Sequence, residues 1–226
     1  MASEADRPVW TPSPDRVARA NLIRFIDTLP AGADVRDIAA LWRWSVDAPE
    51  EFWPAVWRFT GVIAAEREGQ APWDDVVIGA DRMAPPDPVL GPRWFPGARL
   101  NFAENLLRHA DDRPALIFAG EAGDRRELSY RELHSEVAAM AAGLRAAGVR
   151  TGDRVAGFLP NLPEAVIAML ATASVGAVWS SCSPDFGARG VLDRFGQIAP
   201  RVLIAADGYR YAGKEIDCLA RVAEVR

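Results

Sequence analysis

Phosphate-binding loops are missing from this chain. No G-x-x-x-x-G-K-[ST] and no G-x-G-x-x-G following a strand occurs in its 226 residues. Such loops present backbone amides to phosphate at a helix start, so P-loop NTPase and dinucleotide-binding readings fall away. Cysteine is scarce, with only Cys182 and Cys218, which rules out a disulfide framework. Histidine is equally scarce: His109 and His134 lie far apart, and no Cys/His spacing suggests zinc. No apolar run approaches the roughly 20 residues that cross a bilayer. Met1–Arg7 lacks the basic-then-apolar pattern of a leader. There is no excess of positive charge either. The formal net charge is −5, which speaks against a nucleic-acid partner. These absences together predict a cytoplasmic, reducing setting.

What remains is globular. Half the residues are apolar and a quarter charged, enough for one large domain or two small ones. Composition changes near residue 95. Seven of the eight tryptophans lie in residues 1–94: Trp10, Trp42, Trp44, Trp53, Trp57, Trp73 and Trp94. Their ordinary role is core packing. This half reads as helical. Ser13-Pro14 is a helix start, followed by an apolar face of Val17, Ala20, Leu22, Ile23 and Ile26. A second helix is expected over Val35–Trp44. A third is expected from Pro49, kinked or delayed by Pro54. The proline-rich stretch 80–97 reads as an extended connector.

From residue 112 the pattern alternates. Strands are predicted over Ala115–Ala119, Val155–Leu159, Ala177–Ser180 and Val202–Ala206. Ser129-Tyr130-Arg131-Glu132 is a capping box, opening a helix through Leu133, Val137, Met140, Ala141 and Leu144 that Gly148 ends. A second helix opens at Asn161-Leu162-Pro163 and is apolar nearly all round, so it should be buried. A third carries Val191, Leu192, Phe195 and Ile198, and residues 213–225 are expected to form a last one. The fold class is therefore α/β: a helical, Trp-rich region (1–94), then part of a doubly wound parallel sheet (95–226). In such sheets ligands lie beyond the carboxyl ends of the strands, which singles out loops 160–162, 181–187 and 207–214.

Two of these loops carry chemistry. Asp207-Gly208-Tyr209-Arg210-Tyr211-Ala212-Gly213-Lys214 packs two cations and two aromatics into eight residues, suited to a phosphate and an adenine. On composition alone it reads first as a solvated turn leading into a helix. Ser180-Ser181-Cys182-Ser183-Pro184-Asp185 resembles an amide-rich cradle more than a nucleophile site, since it holds no G-x-S-x-G and no histidine is near in sequence. The adjacent carboxylates Glu50-Glu51, Asp74-Asp75 and Asp111-Asp112 diverge from each other and suit solvated faces. His134, inside the capped helix, has no catalytic partner in view.

Set side by side, LWRWSVDAPEEFWPAVWRF (41–59), RWFPGARLNFAENLL (93–107), LSYREL (128–133), GDRVAGFLPNLPEAVIAMLATASVGAVWSSCSP (152–184) and SPDFGARGVLDRFGQI (183–198) resemble the amino-terminal third of the acetoacetate–CoA ligase family. That family is a branch of the adenylate-forming acyl-CoA synthetases. The resemblance implies a two-step reaction: a carboxylate attacks the α-phosphorus of ATP, with Mg2+, and CoA then displaces AMP. It implies that the family's phosphate loop, adenine contacts, hinge and catalytic lysine lie beyond Arg226, so that no catalytic residue is assigned and this chain alone is inactive. A separate downstream half is then the expected partner. An incomplete sheet would also expose a strand edge and promote self-association. One subsite carries over. The segment Ser183-Pro184-Asp185 and the positions Tyr211 and Lys214 match those that hold the nucleotide end of CoA in the acetyl branch. Tyr211 replaces a cation there, with Arg210 as the substitute. The alternatives are an acetyl- or propionyl-CoA synthetase fragment, or a non-enzymatic CoA- or protein-binding remnant.

Overall fold

The computed structural model describes residues 8–30, 34–81 and 91–225. It divides into two compact units, residues 1–99 and 100–226. Among the described residues no helix is long and apolar enough to cross a membrane.

The first unit is helical. The Ser13 hydroxyl accepts from the Arg16 amide and starts α1 (Pro14–Ala18). The apolar face read across 17–26 does not form one helix. Ala20 is extended and begins a separate α2 (Asn21–Asp27). Val17 and Leu22 stay exposed, and Phe25 is the buried residue of the pair. The second predicted helix is shifted to α3 (Ile38–Asp47), because the Asp37 carboxylate caps it by accepting from the Ala40 amide. α4 (Pro49–Thr60) begins at Pro49 and runs through Pro54 instead of starting after it; the Pro54 ring is buried, and Gly61 in the left-handed region closes the helix. Phe25, Val35 and Leu41 form the core, with Trp44, Phe52 and Phe59 against it. A second aromatic group joins Trp57, Trp73 and Phe95, with ring centroids 4.8–5.0 Å apart. Two short strands, β1 (Val77–Ile78) and β2 (Arg93–Trp94), pair antiparallel. Half of the predicted proline-rich connector, residues 82–90, falls outside the described residues.

The second unit opens with α5 (Phe102–Leu106). Asn101 Oδ1 accepts from the Ala103 and Glu104 amides, and its Nδ2 donates to the Ala173 carbonyl at 2.9 Å. β3 (Pro114–Ala119) does not join the parallel sheet. It pairs antiparallel with β4 (Arg125–Ser129), a strand whose run of charge hides it in the sequence. The Ser129–Glu132 capping box then starts α6 (Tyr130–Ala146). The parallel sheet contains β5 (Arg154–Phe158), β6 (Val178–Cys182) and β7 (Val202–Ala205), in the order β6-β5-β7.

Alternation along these strands feeds two cores. Val155, Trp179, Val202 and Ile204 meet α6 and α7 (Pro163–Ser174). Ala156, Phe158, Cys182, Leu203 and Ala205 meet α8 (Ala188–Ile198) and α9 (Leu219–Val225). The sheet is thus covered on both faces, as doubly wound connections require. As the sequence predicts, α7 is the most buried helix by pattern: Ile167, Ala168, Leu170, Ala171 and Thr172 are all buried. The single helix expected over 213–225 is a correction. β8 (Gly208–Tyr211) and β9 (Lys214–Asp217) form an antiparallel hairpin, and only α9 follows. A two-residue turn with Ala212 at φ 51° and Gly213 at φ 73° reverses the chain, the backbone that matches strand twist in tight hairpins.

Candidate functional site

The order β6-β5-β7 places the point where connections diverge between the ends of β5 and β7. A cavity of about 480 Å3 lies beyond the ends of β5 and β6, against β8. Its walls are the β3–β4 turn (Gly120, Glu121, Asp124), the segment after β5 (Pro160–Leu162), the segment after β6 (Ser183, Asp185) and the outer strand β8. The three loops selected from the sequence therefore do converge. The fourth wall, the β3–β4 turn, was not among them.

Ser183 and Asp185 are held by one network. The Tyr209 hydroxyl donates to Asp185 Oδ1 at 2.6 Å, and the Ser183 hydroxyl donates to Oδ2 at 2.8 Å. Arg221 Nη1 on α9 donates to the Pro184 carbonyl at 2.7 Å, and Pro184 itself is fully buried. Asp185 therefore shapes the crevice, since both of its oxygens are engaged. These bonds hold its carboxyl below the usual Asp range, the Tyr209 hydroxyl contributing most, then Ser183; the same contact with Asp185 raises the Tyr209 phenol.

The sign of the pH effect follows. Asp185's folded value lies below its unfolded one, so this tie is fully formed above the ordinary carboxylate range and is lost as pH falls through the depressed value. Tyr209→Phe is expected to move the Asp185 titration upward. Carboxyl-carbon NMR reads that shift, and an unmoved midpoint would disprove Tyr209's part.

The cations separate. Antiparallel pairing sets Arg210 opposite Glu215 and Tyr211 opposite Lys214. Opposed residues share a face, so Arg210 lies on one side of the hairpin, and Lys214 with Tyr211 on the other. Arg210 Nε donates to Glu215 Oε1 at 3.2 Å, in an exposed ion pair. Lys214 and Tyr211 are exposed. The cavity wall itself is acidic: Glu121, Asp124 and Asp185 line it with Arg210.

Cys182 is buried beneath the Ser183 loop, and burial raises its thiol, which disfavours a nucleophilic thiolate. Both histidines are exposed. His109 lies edge-on to Tyr130, 5.6 Å between ring centres. Asp111 and Asp112 point to different partners, Arg113 and Arg131.

A parallel sheet packed by helices on both faces defines a doubly wound α/β domain. Residues 102–226 match the family described as AMP-binding enzyme, and residues 38–106 match the acetyl-coenzyme A synthetase N-terminus. The chain belongs to the AMP-binding enzyme family. Within it, the chain is 46% identical over 224 residues to the acetoacetyl-coenzyme A synthetase of Rhizobium meliloti (strain 1021), covering 98% of this chain and 33% of that protein. It is 40% identical over 219 residues to the acetoacetyl-CoA synthetase of Macaca fascicularis, covering 96% and 31%. The solved acetoacetyl-CoA synthetase from Streptomyces lividans superposes with a TM-score of 0.85 at 47% identity, over 97% of this chain and 33% of that one. The chain spans about a third of the length of the relatives it matches.

Proposed function

We propose that these residues supply the amino-terminal part of an acetoacetate–CoA ligase, which converts ATP, acetoacetate and CoA to acetoacetyl-CoA, AMP and diphosphate. The observation that carries this is the similarity to acetoacetyl-CoA synthetases across both units, at 46% identity over 98% of the chain. Residues 1–94 would be the helical region of that enzyme, and residues 95–226 its first α/β subdomain. The match of residues 38–106 to the acetyl-coenzyme A synthetase N-terminus supports a second reading, an acetyl- or propionyl-CoA synthetase, in which the same scaffold serves a different acid.

The crevice is the thiol-carrier edge on this reading. Lys214 and Tyr211 share one hairpin face and would meet the nucleotide phosphate of CoA. Ser183 and Asp185 fix the loop behind them, and Arg210 would contribute only after leaving Glu215. Lys214 is the only lysine among 26 Lys and Arg residues. A compact ammonium on an exposed strand suits a single phosphate, where arginine would suit a fork of two oxygens. The acidic inner wall, with Glu121, Asp124 and Asp185, keeps such a phosphate at the rim.

Among the described residues no group of three His, Cys, Asp or Glu side chains could hold a metal ion, and no step is assigned to Mg2+ in this chain. No residue here is given a role in adenylation. The two free, buried thiols Cys182 and Cys218 suit a reducing, cytoplasmic compartment.

The test is reconstitution. The purified chain, given ATP, acetoacetate and CoA, is expected to release no AMP above background. The same chain co-expressed with the carboxy-terminal two thirds of an acetoacetyl-CoA synthetase is expected to restore acetoacetate-dependent AMP release. Turnover by the chain alone would overturn the claim of inactivity. Reconstitution that favours acetate or propionate would select the second reading.

A further inference from the structure

One tie on the crevice joins residues 91 and 92 apart in the chain. The amides of Ala212 and Gly213, at the tip of the β8–β9 hairpin, both donate to the Glu121 carboxylate, one to each oxygen, at 2.9 and 3.2 Å. Both residues have positive φ, so successive N–H groups turn outward to the same side. Consecutive amides in such a turn form a concavity for an oxyanion. A carboxylate presents two oxygens to them much as a phosphate would. The next residue is Lys214, and all four positions, Glu121 and 212–214, are exposed to solvent.

Glu121 is a poorly committed occupant. It sits in the β3–β4 turn, where the Gly120 amide bonds the Asp124 carbonyl at 2.7 Å, so the turn is held without its side chain. Its side chain must be ordered to reach the hairpin, and the bonds it makes compete with water. It also adds a third carboxylate to a cavity already lined by Asp124 and Asp185. That charge stands where an incoming anion would be repelled.

We propose that Glu121 occupies the Ala212–Gly213 turn as an internal stand-in for the phosphate group that the reading above places at this edge, and that the ligand displaces it. The identification of that ligand as the nucleotide phosphate of CoA rests on that reading, and the competition between Glu121 and an anion for the two amides rests on their geometry. Glu121 then acts as a brake on anion binding instead of a support for it, which gives the inference its sign. A structural tie would have the opposite sign, because removing it would loosen the hairpin and weaken binding.

Inorganic phosphate, titrated into the 15N-labelled chain and followed at the Ala212 and Gly213 amide resonances, tests the receptor. Both amides are expected to shift on saturation. Glu121→Gln keeps the side chain's size but removes its charge, and is expected to lower the phosphate midpoint about fivefold, the effect of one nearby unit charge in water. Glu121→Ala, which leaves no acceptor, should follow it. An unchanged or raised midpoint in both variants, or amides that phosphate moves in neither protein, would overturn the proposal. A parallel titration with CoA and dephospho-CoA separates the two layers. If the variants tighten phosphate but CoA shows no advantage over dephospho-CoA, the receptor stands and the CoA reading fails.

Discussion

Phe158→Ala is expected to cost the second unit about 3–5 kcal/mol, the range for emptying a fully buried aromatic site. Phe158 has no exposed surface. It ends the central strand β5, paired to Cys182 on one side and Ala205 on the other, and packs with Val191 and Phe195 of α8. The β5 side of this site cannot collapse readily, because both neighbouring strands hold it in register. A domain's whole stability is commonly about 5–15 kcal/mol, so this single truncation removes a large share. In calorimetry the corresponding transition should fall by on the order of 10–20 °C. Leu192→Ala, on the same helix but 45% exposed, is the control and should cost less than about 1 kcal/mol. Equal effects from the two would mean that α8 does not pack as described. The Ala206 amide donates to the Phe158 carbonyl where β7 ends, so the same residue anchors the segment that leads into the crevice strand β8. Ligand binding is therefore expected to weaken together with stability.

The sheet's central part was legible because its signals are local. Ser129 and Glu132 lie three residues apart and cap each other's backbone, so spacing alone marks the start of α6. Gly148 sits at positive φ, where a side chain would be strained, so it marks the stop it was read as, and Gly176 follows α7 in the same conformation. The unbroken apolar run in α7 has no exposed face to disguise it.

Other elements left weaker marks. The first three residues of β4 are charged and Leu128 is its one buried position, and such a strand carries no hydrophobic alternation to detect. The β8–β9 hairpin turns on Ala212-Gly213, and alanine rarely takes a positive φ. Tyr209-Arg210-Tyr211 facing Lys214-Glu215-Ile216 does offer a weak alternation, and that pattern could have revealed the pair. Within the site, the Tyr209–Asp185 bond spans 24 residues and the Glu121 tie 91 to 92, so nothing local announces either. Arg210 and Lys214 are neighbours by sequence distance. A two-residue reversal puts them on opposite faces, an outcome that depends on register and not on composition.

That division of the cations yields the second large effect. Lys214→Ala is expected to raise the dissociation constant of CoA about tenfold, the loss of one charge-assisted phosphate contact, equivalent to about 1.4 kcal/mol. Arg210→Ala should change it by less than about threefold, since Arg210 is already engaged by Glu215 and an exposed pair of this kind contributes little. Dephospho-CoA should bind all three proteins alike, because the contact in question is to the phosphate it lacks. Calorimetric titration of the two ligands against the three proteins measures this directly. The chain's single lysine permits a second readout, in which an amine-reactive label at Lys214 is slowed by CoA and not by dephospho-CoA. If Arg210→Ala instead carries the larger loss, Glu215 must release its partner on binding. Glu215→Gln would then tighten CoA, where the present arrangement predicts almost no change.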